Sequence, residues 1–233
     1  MRGSLPAVQS LTAGYADTSG FLALKGLFTS HVTGNFVTLG SALVFGSSGA
    51  LAKTLALPMF CIAVLAVRLL ALRLRGSGKP VLRSVLVLQV VLLSVAAVLA
   101  ACTGPFENPD AGAALALGMI MVAAMAIQNA AHRVHLAHTP PSTVMTGTTT
   151  QIMLDLADML HGPLPEKVAA IRARLTPMIA SVVLFATGCA LAAVLYARFN
   201  KWCFCVLPVL AAGALMMRAD IGEAVARSEG ASK

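Results

Sequence analysis

The sequence predicts an all-α integral membrane protein. Six transmembrane helices and two short re-entrant or broken helices form two inverted three-span repeats. Three observations predict this: the composition, the placement of the few cationic residues, and an internal repeat. The chain has 233 residues, 58% of them hydrophobic and 11% charged, with a mean hydropathy of +0.84. A soluble domain carries about 25% charged residues, so soluble enzymes, nucleic-acid-binding proteins and disordered chains are disfavoured. The net charge of +8 reads as cationic loops flanking membrane helices, not as a nucleic-acid footprint.

Six apolar segments approach the roughly 17–25 residues that a bilayer crossing needs. They run over about 8–28, 54–72, 82–102, 112–131, 175–197 and 199–217, the last interrupted by Pro208. The N-terminal segment lacks a clean cleavage site and reads as an uncleaved first helix. Two shorter segments, about 34–47 and 147–160, each begin at a Thr-Gly pair. At about 1.5 Å per residue they are too short for the hydrocarbon core. The five cysteines lie in apolar runs and read as small hydrophobes.

The cationic residues decide whether the short segments cross. With six crossings and the N-terminus inside, the inner side collects Arg2, then Arg68, Arg73, Arg75, Lys79 and Arg83, then Arg133, Lys167, Arg172, Arg174, Arg218, Arg227 and Lys233. The outer side keeps only Lys53, Arg198 and Lys201, with Lys25 assigned to the first helix. If all eight segments crossed, the split would be even. The positive-inside rule therefore selects six crossings, with both termini cytoplasmic. The acidic loop Glu107–Asp110 falls outside.

The repeat is the third observation. Val32-Thr33-Gly34-Asn35 returns 113 residues later as Met145-Thr146-Gly147-Thr148. Pro58-Met59 with Val64-Leu65 returns 119 residues later as Pro177-Met178 with Val183-Leu184, and Val87-Leu88 with Val90 as Val206-Leu207 with Val209. The change of offset places an insertion around 160–167. Repeat one covers about 8–102 and repeat two about 112–217 of one membrane domain spanning 1–233, with a cytoplasmic tail at 218–233. Three crossings is odd, so a directly repeated unit re-enters the membrane upside down.

The motifs Gly14-Tyr15-Ala16-Asp17, Gly20-Phe21-Leu22, Phe28-Thr29-Ser30-His31-Val32-Thr33-Gly34-Asn35 and Leu39-Gly40 resemble the N-terminal signature of the YoaK family. In the second half, Ala126-Ile127-Gln128-Asn129-Ala130-Ala131, Thr143 to Thr148, Gln151 and Asp155-Leu156 agree with it. The family comprises bacterial multi-pass membrane proteins defined by a domain of unknown function. The resemblance runs from about Ala13 to Met217 and implies a bacterial inner-membrane location. It implies no activity.

Polar side chains cluster around the Thr-Gly segments. Such groups are costly in a bilayer and are often functional. A re-entrant tip needs its exposed backbone covered by protein or water. Gly34 and Gly147 suit a tight turn or close contact, and Thr33, Asn35, Thr146 and Thr148 suit capping of the short helices. Two helix N-termini meeting at the midplane would suit an anion or a neutral polar solute. Close helix packing alone is the competing explanation of the glycines.

Asp17 is free to pair with Lys25 or His31, or to carry a proton. By the repeat it matches Asn129 approximately, allowing one inserted residue, beside Gln128. Gln151, Asp155 and Asp158 form one helical stripe that suits a water-filled vestibule, with Asp158 at the surface. His132, His135 and His138 have metal-like spacing but surround Arg133, and read as a solvated loop. The candidate solute-binding residues are therefore Asp17, His31, Thr33, Gly34, Asn35, Gln128, Asn129, Thr146, Gly147, Thr148, Gln151 and Asp155.

No catalytic, cofactor or metal motif is present. Ser30-His31 lacks an oriented carboxylate in sequence. The expected partners are membrane lipid and a small solute, with no nucleic acid. The expected function is a small-solute transporter or channel. A non-transporting membrane scaffold or lipid-interacting protein is the other reading.

Overall fold

The computed structural model describes residues 4–77, 79–137, 139–162 and 165–217. The expectations for His138 and for a cytoplasmic tail at 218–233 lie outside them. Regular structure among the described residues is helical: α1 (Ser4–Ala23), α2 (Gly34–Phe45), α3 (Ala50–Gly76), α4 (Val81–Thr103), α5 (Gly112–His135), α6 (Met145–His161) and α7 (Pro165–Phe199). A 3-10 turn, Asn200–Cys205, then leads into helical backbone over 206–217.

Four stretches are long and apolar enough to cross a membrane: α3, α4, α5 and Val168–Met217. The length of α1 also suits a crossing, but its sequence contains Gln9, Ser10, Thr12, Asp17 and Ser19. All five are buried, so its polar groups face protein. The outer surface is apolar instead. Val44, Phe45 and Leu160 are 79%, 80% and 89% exposed, and exposed Leu, Ile and Val side chains recur along α3, α4 and α7. Water tolerates no such continuous apolar surface on a monomeric domain, whereas lipid does. This is a multi-pass helical membrane protein.

Helix α5 is the central post. Every residue from Met121 to Gln128 is buried, between α3, α4 and α1. Helix α1 packs chiefly on α7, while α2 lies on α3 and α6 on α7. Small residues set the tightest contact. A Cβ added to Gly14 would lie 2.1 Å from the Phe185 carbonyl oxygen, and one at Gly188 would lie 2.2 Å from that of Leu11. Ser10 and Ser181 hydrogen-bond at 2.6 Å along the same seam. Ser10 meets Ser181 and Gly14 meets Phe185 at the same sequence separation, so α1 and α7 are parallel. Likewise Ala63 clusters with Ala123 and Ala126, and Val67 and Ala71 with Ile127 and Ala131, which makes α3 and α5 parallel.

The helix ends gather into two layers. In one, Leu5 packs with Leu86, Leu136 and Ala214. In the other, the Asp110 carboxylate accepts the N–H groups of Gly49 and Ala52, both at 2.9 Å. It thereby caps α3 from a distant loop, a favourable place for an anion. Lys201 donates to the Gly104 carbonyl at 2.8 Å in the same layer.

Several boundaries depart from expectation. Helix α1 ends at Ala23, not near 28, because exposed Lys25 takes a positive φ of 47° and the chain turns back toward Asp17. Lys25 thus lies outside the first helix. Helix α7 begins at Pro165, ten residues before the expected 175. Its amphipathic lead packs on α6, with Ile171, Leu175 and Met178 against Ile152. The expected helix over 199–217 opens as the 3-10 turn. His132 and His135 close α5 and do not form a loop.

Candidate functional site

The segment between α1 and α2 is held from beneath by one side chain. The Asp17 carboxylate accepts the backbone N–H groups of Thr29 at 2.8 Å and Ser30 at 2.6 Å. It also accepts the N–H of His31, at 3.3 Å to Oδ2, and pairs with the His31 ring through Nδ1. Asp17 is 4% exposed. A helix-borne carboxylate therefore satisfies a run of amides that would otherwise be orphaned where the chain turns. Of the two pairings open in the sequence, Asp17 takes His31, and Lys25 is not its partner.

Asn35 fixes the other side of this loop. Its Oδ1 accepts the Phe28 N–H and its Nδ2 donates to the Phe28 carbonyl, both at 2.8 Å. The capping expectation needs correction. Thr33 stands at the N-cap of α2 without a side-chain cap bond, and Asn35 clamps backbone seven residues upstream. The first N–H groups of α2 bond within a tight turn, Gly34 to His31 and Asn35 to Val32. In α6, Thr148 donates back to the Val144 carbonyl, and Thr146 is exposed. Gly34 is needed where it stands, since a Cβ there would lie 2.9 Å from the Phe28 ring. A Cβ at Gly147 meets nothing closer than 3.9 Å.

The second half holds a similar pair in neutral form. The Thr143 hydroxyl donates to Asn129 Oδ1 at 2.7 Å, fourteen residues apart in sequence. Asp17 and His31 have the same separation. The two loops approach each other, with the Thr143 backbone near enough to the His31 ring to act on it. Asp17–His31 and Thr143–Asn129 are thus two separate latched pairs on neighbouring loops.

Beside it lies a second buried polar group. Gln89 donates to Gln128 Oε1 at 2.8 Å, and Gln128 Nε2 donates to the Gln9 carbonyl and the Ser142 hydroxyl at 2.8 and 3.1 Å. The Gln9 amide and the Ser30 hydroxyl are buried without a partner among the described residues.

Two cavities flank the loop contact. One, of about 590 Å³, is lined by Asp17, His31, Thr33 and Gly34 together with Phe21, Phe28, Phe185 and Cys189. The His31 ring meets Phe185 edge-on with centroids 5.4 Å apart. The other, of about 510 Å³, is lined by Gly147, Thr148 and Gln151 with Pro140, Pro141, Arg174 and Pro177. Seven of the twelve candidate residues are therefore divided between these two cavities, and Asn129 lines a third. Gln128 lies in the interior network, Asn35 is a clamp, and Thr146 lines neither cavity.

Asp155 is fully buried and ion-paired. Arg174 donates to it through Nε at 2.6 Å and through the guanidinium terminus, and Gln151 donates at 2.8 Å. Asp158 is exposed. The stripe expected along a vestibule is thus partly sealed by α7.

Phe185, Cys189 and Arg174 escaped sequence reasoning, because nothing local to α7 marks which residues face the loops. Ser142 was findable: Ser30-His31 and Ser142-Thr143 share the offset that relates Asp17 to Asn129.

A family model described as "Protein of unknown function (DUF1275)" matches residues 5–217. No curated protein matches the chain, and no solved structure does.

Proposed function

We propose that this chain, which belongs to the DUF1275 family of proteins of unknown function, is a membrane carrier for a small anion or neutral polar solute. Its frame is two inverted three-span repeats, and the contact between the two re-entrant loops is its gate. The observation that carries this reading is the pair of latches Asp17–His31 and Thr143–Asn129, each closing fourteen residues of chain. Asp17 and Asn129, and His31 and Thr143, are related by one sequence offset, and the Thr143 backbone lies near the His31 ring. Repeat-related residues brought near each other are what an axis between the halves requires.

The helix pairing supports the same axis. The parallel pair α1–α7 has its counterpart in α5–α3, and α2–α3 has its counterpart in α6–α7. Six crossings follow if α1 spans as well, and if the 3-10 turn with the helical backbone after it, 200–217, makes one crossing apart from α7. Both connect the two end layers: Tyr15 donates to the Cys203 carbonyl at 2.7 Å, and Leu5 meets Ala214. The layer at Leu5 also receives the helix ends bearing Arg73, Arg75 and Arg133. It is assigned to the cytoplasm of a bacterial inner membrane.

In this reading the cavity at the first loop and the cavity at the second load a solute in turn, and the loop contact separates them. The ionisable latch of the first half gives proton sensitivity, since an imidazole titrates near neutral pH. The second half keeps the neutral pair as a fixed counterpart. No catalytic step is included. The wholly buried face of α5 favours a carrier over an open pore.

Flux into vesicles holding the purified protein tests this with a panel of small anions and neutral polar solutes. At least one solute is taken up, with a pH dependence near neutrality. His31→Gln abolishes that dependence and slows uptake roughly tenfold or more, the loss of a charge-assisted bond being worth about 1.5–3 kcal/mol. Absence of uptake across the panel overturns the carrier and leaves the scaffold.

A further inference from the structure

At the cytoplasmic ends of α3 and α5 lies a third cavity, of about 360 Å³. Arg68 enters it from α3 and Arg133 from α5, with Asn129 deeper in. Phe60, Val64 and Val67 line its apolar part. Only its α5 side matches the cavity beside Asp17, since Asn129, Ala130 and Arg133 stand where α1 has Asp17, Thr18 and Phe21. The offset relating Asp17 to Asn129 also carries Phe21 to Arg133, so a cation stands here where the first half presents an aromatic ring.

Both arginines are exposed. Neither has a carboxylate partner among the described residues, where the ion pairs join His31 to Asp17 and Arg174 to Asp155. Among the described residues, no acidic side chain lines the cavity. Arginine is suited to phosphate because its fork donates two bonds at once. A groove with two such forks at its mouth and apolar walls leading into the helix face is amphipathic in the sense of a phospholipid. Basic pockets between membrane helices on the cytoplasmic side bind anionic headgroups.

We infer that the α3–α5 groove is a binding site for an anionic phospholipid. The phosphodiester lies between Arg68 and Arg133, and an acyl chain follows Val67, Val64 and Phe60. Charge complementarity selects this occupant over a zwitterionic lipid, and the apolar floor selects it over a soluble anion. The site does not depend on transport.

The test uses the full chain in neutral detergent, with thermal unfolding followed during titration by phosphatidylglycerol, phosphatidylcholine or inorganic phosphate. Phosphatidylglycerol raises the unfolding temperature saturably, while the other two do not. Each arginine replaced by Gln weakens the apparent affinity about fivefold. The Arg68→Lys/Arg133→Lys variant, which keeps both charges and loses both forks, responds more strongly than Arg68→Gln/Arg133→Gln, which separates loss of charge from misfolding. Val64→Trp abolishes it by filling the groove with both charges in place. Arg73→Gln/Arg75→Gln, which alters cations of the same layer outside the groove, leaves it intact. An equal response to phosphatidylcholine, an equal response to inorganic phosphate, or an unchanged response in Arg68→Gln/Arg133→Gln overturns the inference.

Discussion

Replacing Asp17 by Ala is expected to cost about 3–5 kcal/mol, the range for removing one partner of a buried pair. Three consecutive loop amides and the His31 ring lose their acceptor together. Inside a membrane protein no bulk water replaces it. Asp17→Asn keeps the shape and one acceptor oxygen, and reproduces the residue found at Asn129. Its expected cost is smaller, about 1–3 kcal/mol. Unfolding in mixed detergent and SDS micelles measures both. An Asp17→Ala protein as stable as the parent would show that the loop is held by something other than this latch.

The second large effect is at the α1–α7 crossing. A methyl group at Gly188 would press on the Leu11 carbonyl at 2.2 Å, and one at Gly14 on the Phe185 carbonyl at 2.1 Å. Both obstacles are backbone, so no rotamer change relieves them and the helices must part. Overpacking of this kind costs about 1–3 kcal/mol, and Gly188→Ala is expected at the upper end. In lipid, helix association depends on such close packing, since no hydrophobic force compensates for its loss. Parting the helices also strains the Ser10–Ser181 bond and moves Phe185 from His31. Gly213→Ala is the control, because nothing lies within 4 Å of its added Cβ. It is expected to be neutral or stabilising by up to about 1 kcal/mol. Equal stability of Gly188→Ala and Gly213→Ala would contradict the crossing as described.

Much of this architecture is legible in residues with simple physical signatures. The apolar runs of α3, α4 and α5 end within a few residues of where hydropathy places them, because charge or proline punctuates them. The short α2 and α6 begin at or next to their Thr-Gly motifs. Helix α1 was harder, since buried Asp17 pulls the following chain back and no propensity rule sees that force. The amphipathic start of α7 is invisible to a hydropathy window because its apolar side faces α6.

In the site, the pairing of Asp17 with His31 was one of two sequence options, and burial chose between them. Arg174 with Asp155 was not foreseeable, because the partners sit on different helices nineteen residues apart. The approach of the Thr143 backbone to His31 is tertiary. The repeat offset relates those residues, but only folding brings them together.

The proposed inverted arrangement underlies both the proposed gate and the cytoplasmic place proposed for the lipid groove. Exposed Ser47, just after α2, and exposed His161, at the end of α6, report on it directly. In a background with Cys61, Cys102, Cys189, Cys203 and Cys205 replaced, each position is changed singly to Cys and treated with a membrane-impermeant maleimide from outside intact cells. Ser47→Cys is expected to label from outside, and His161→Cys only after the membrane is opened. Labelling of both from the same side would contradict the inverted repeats.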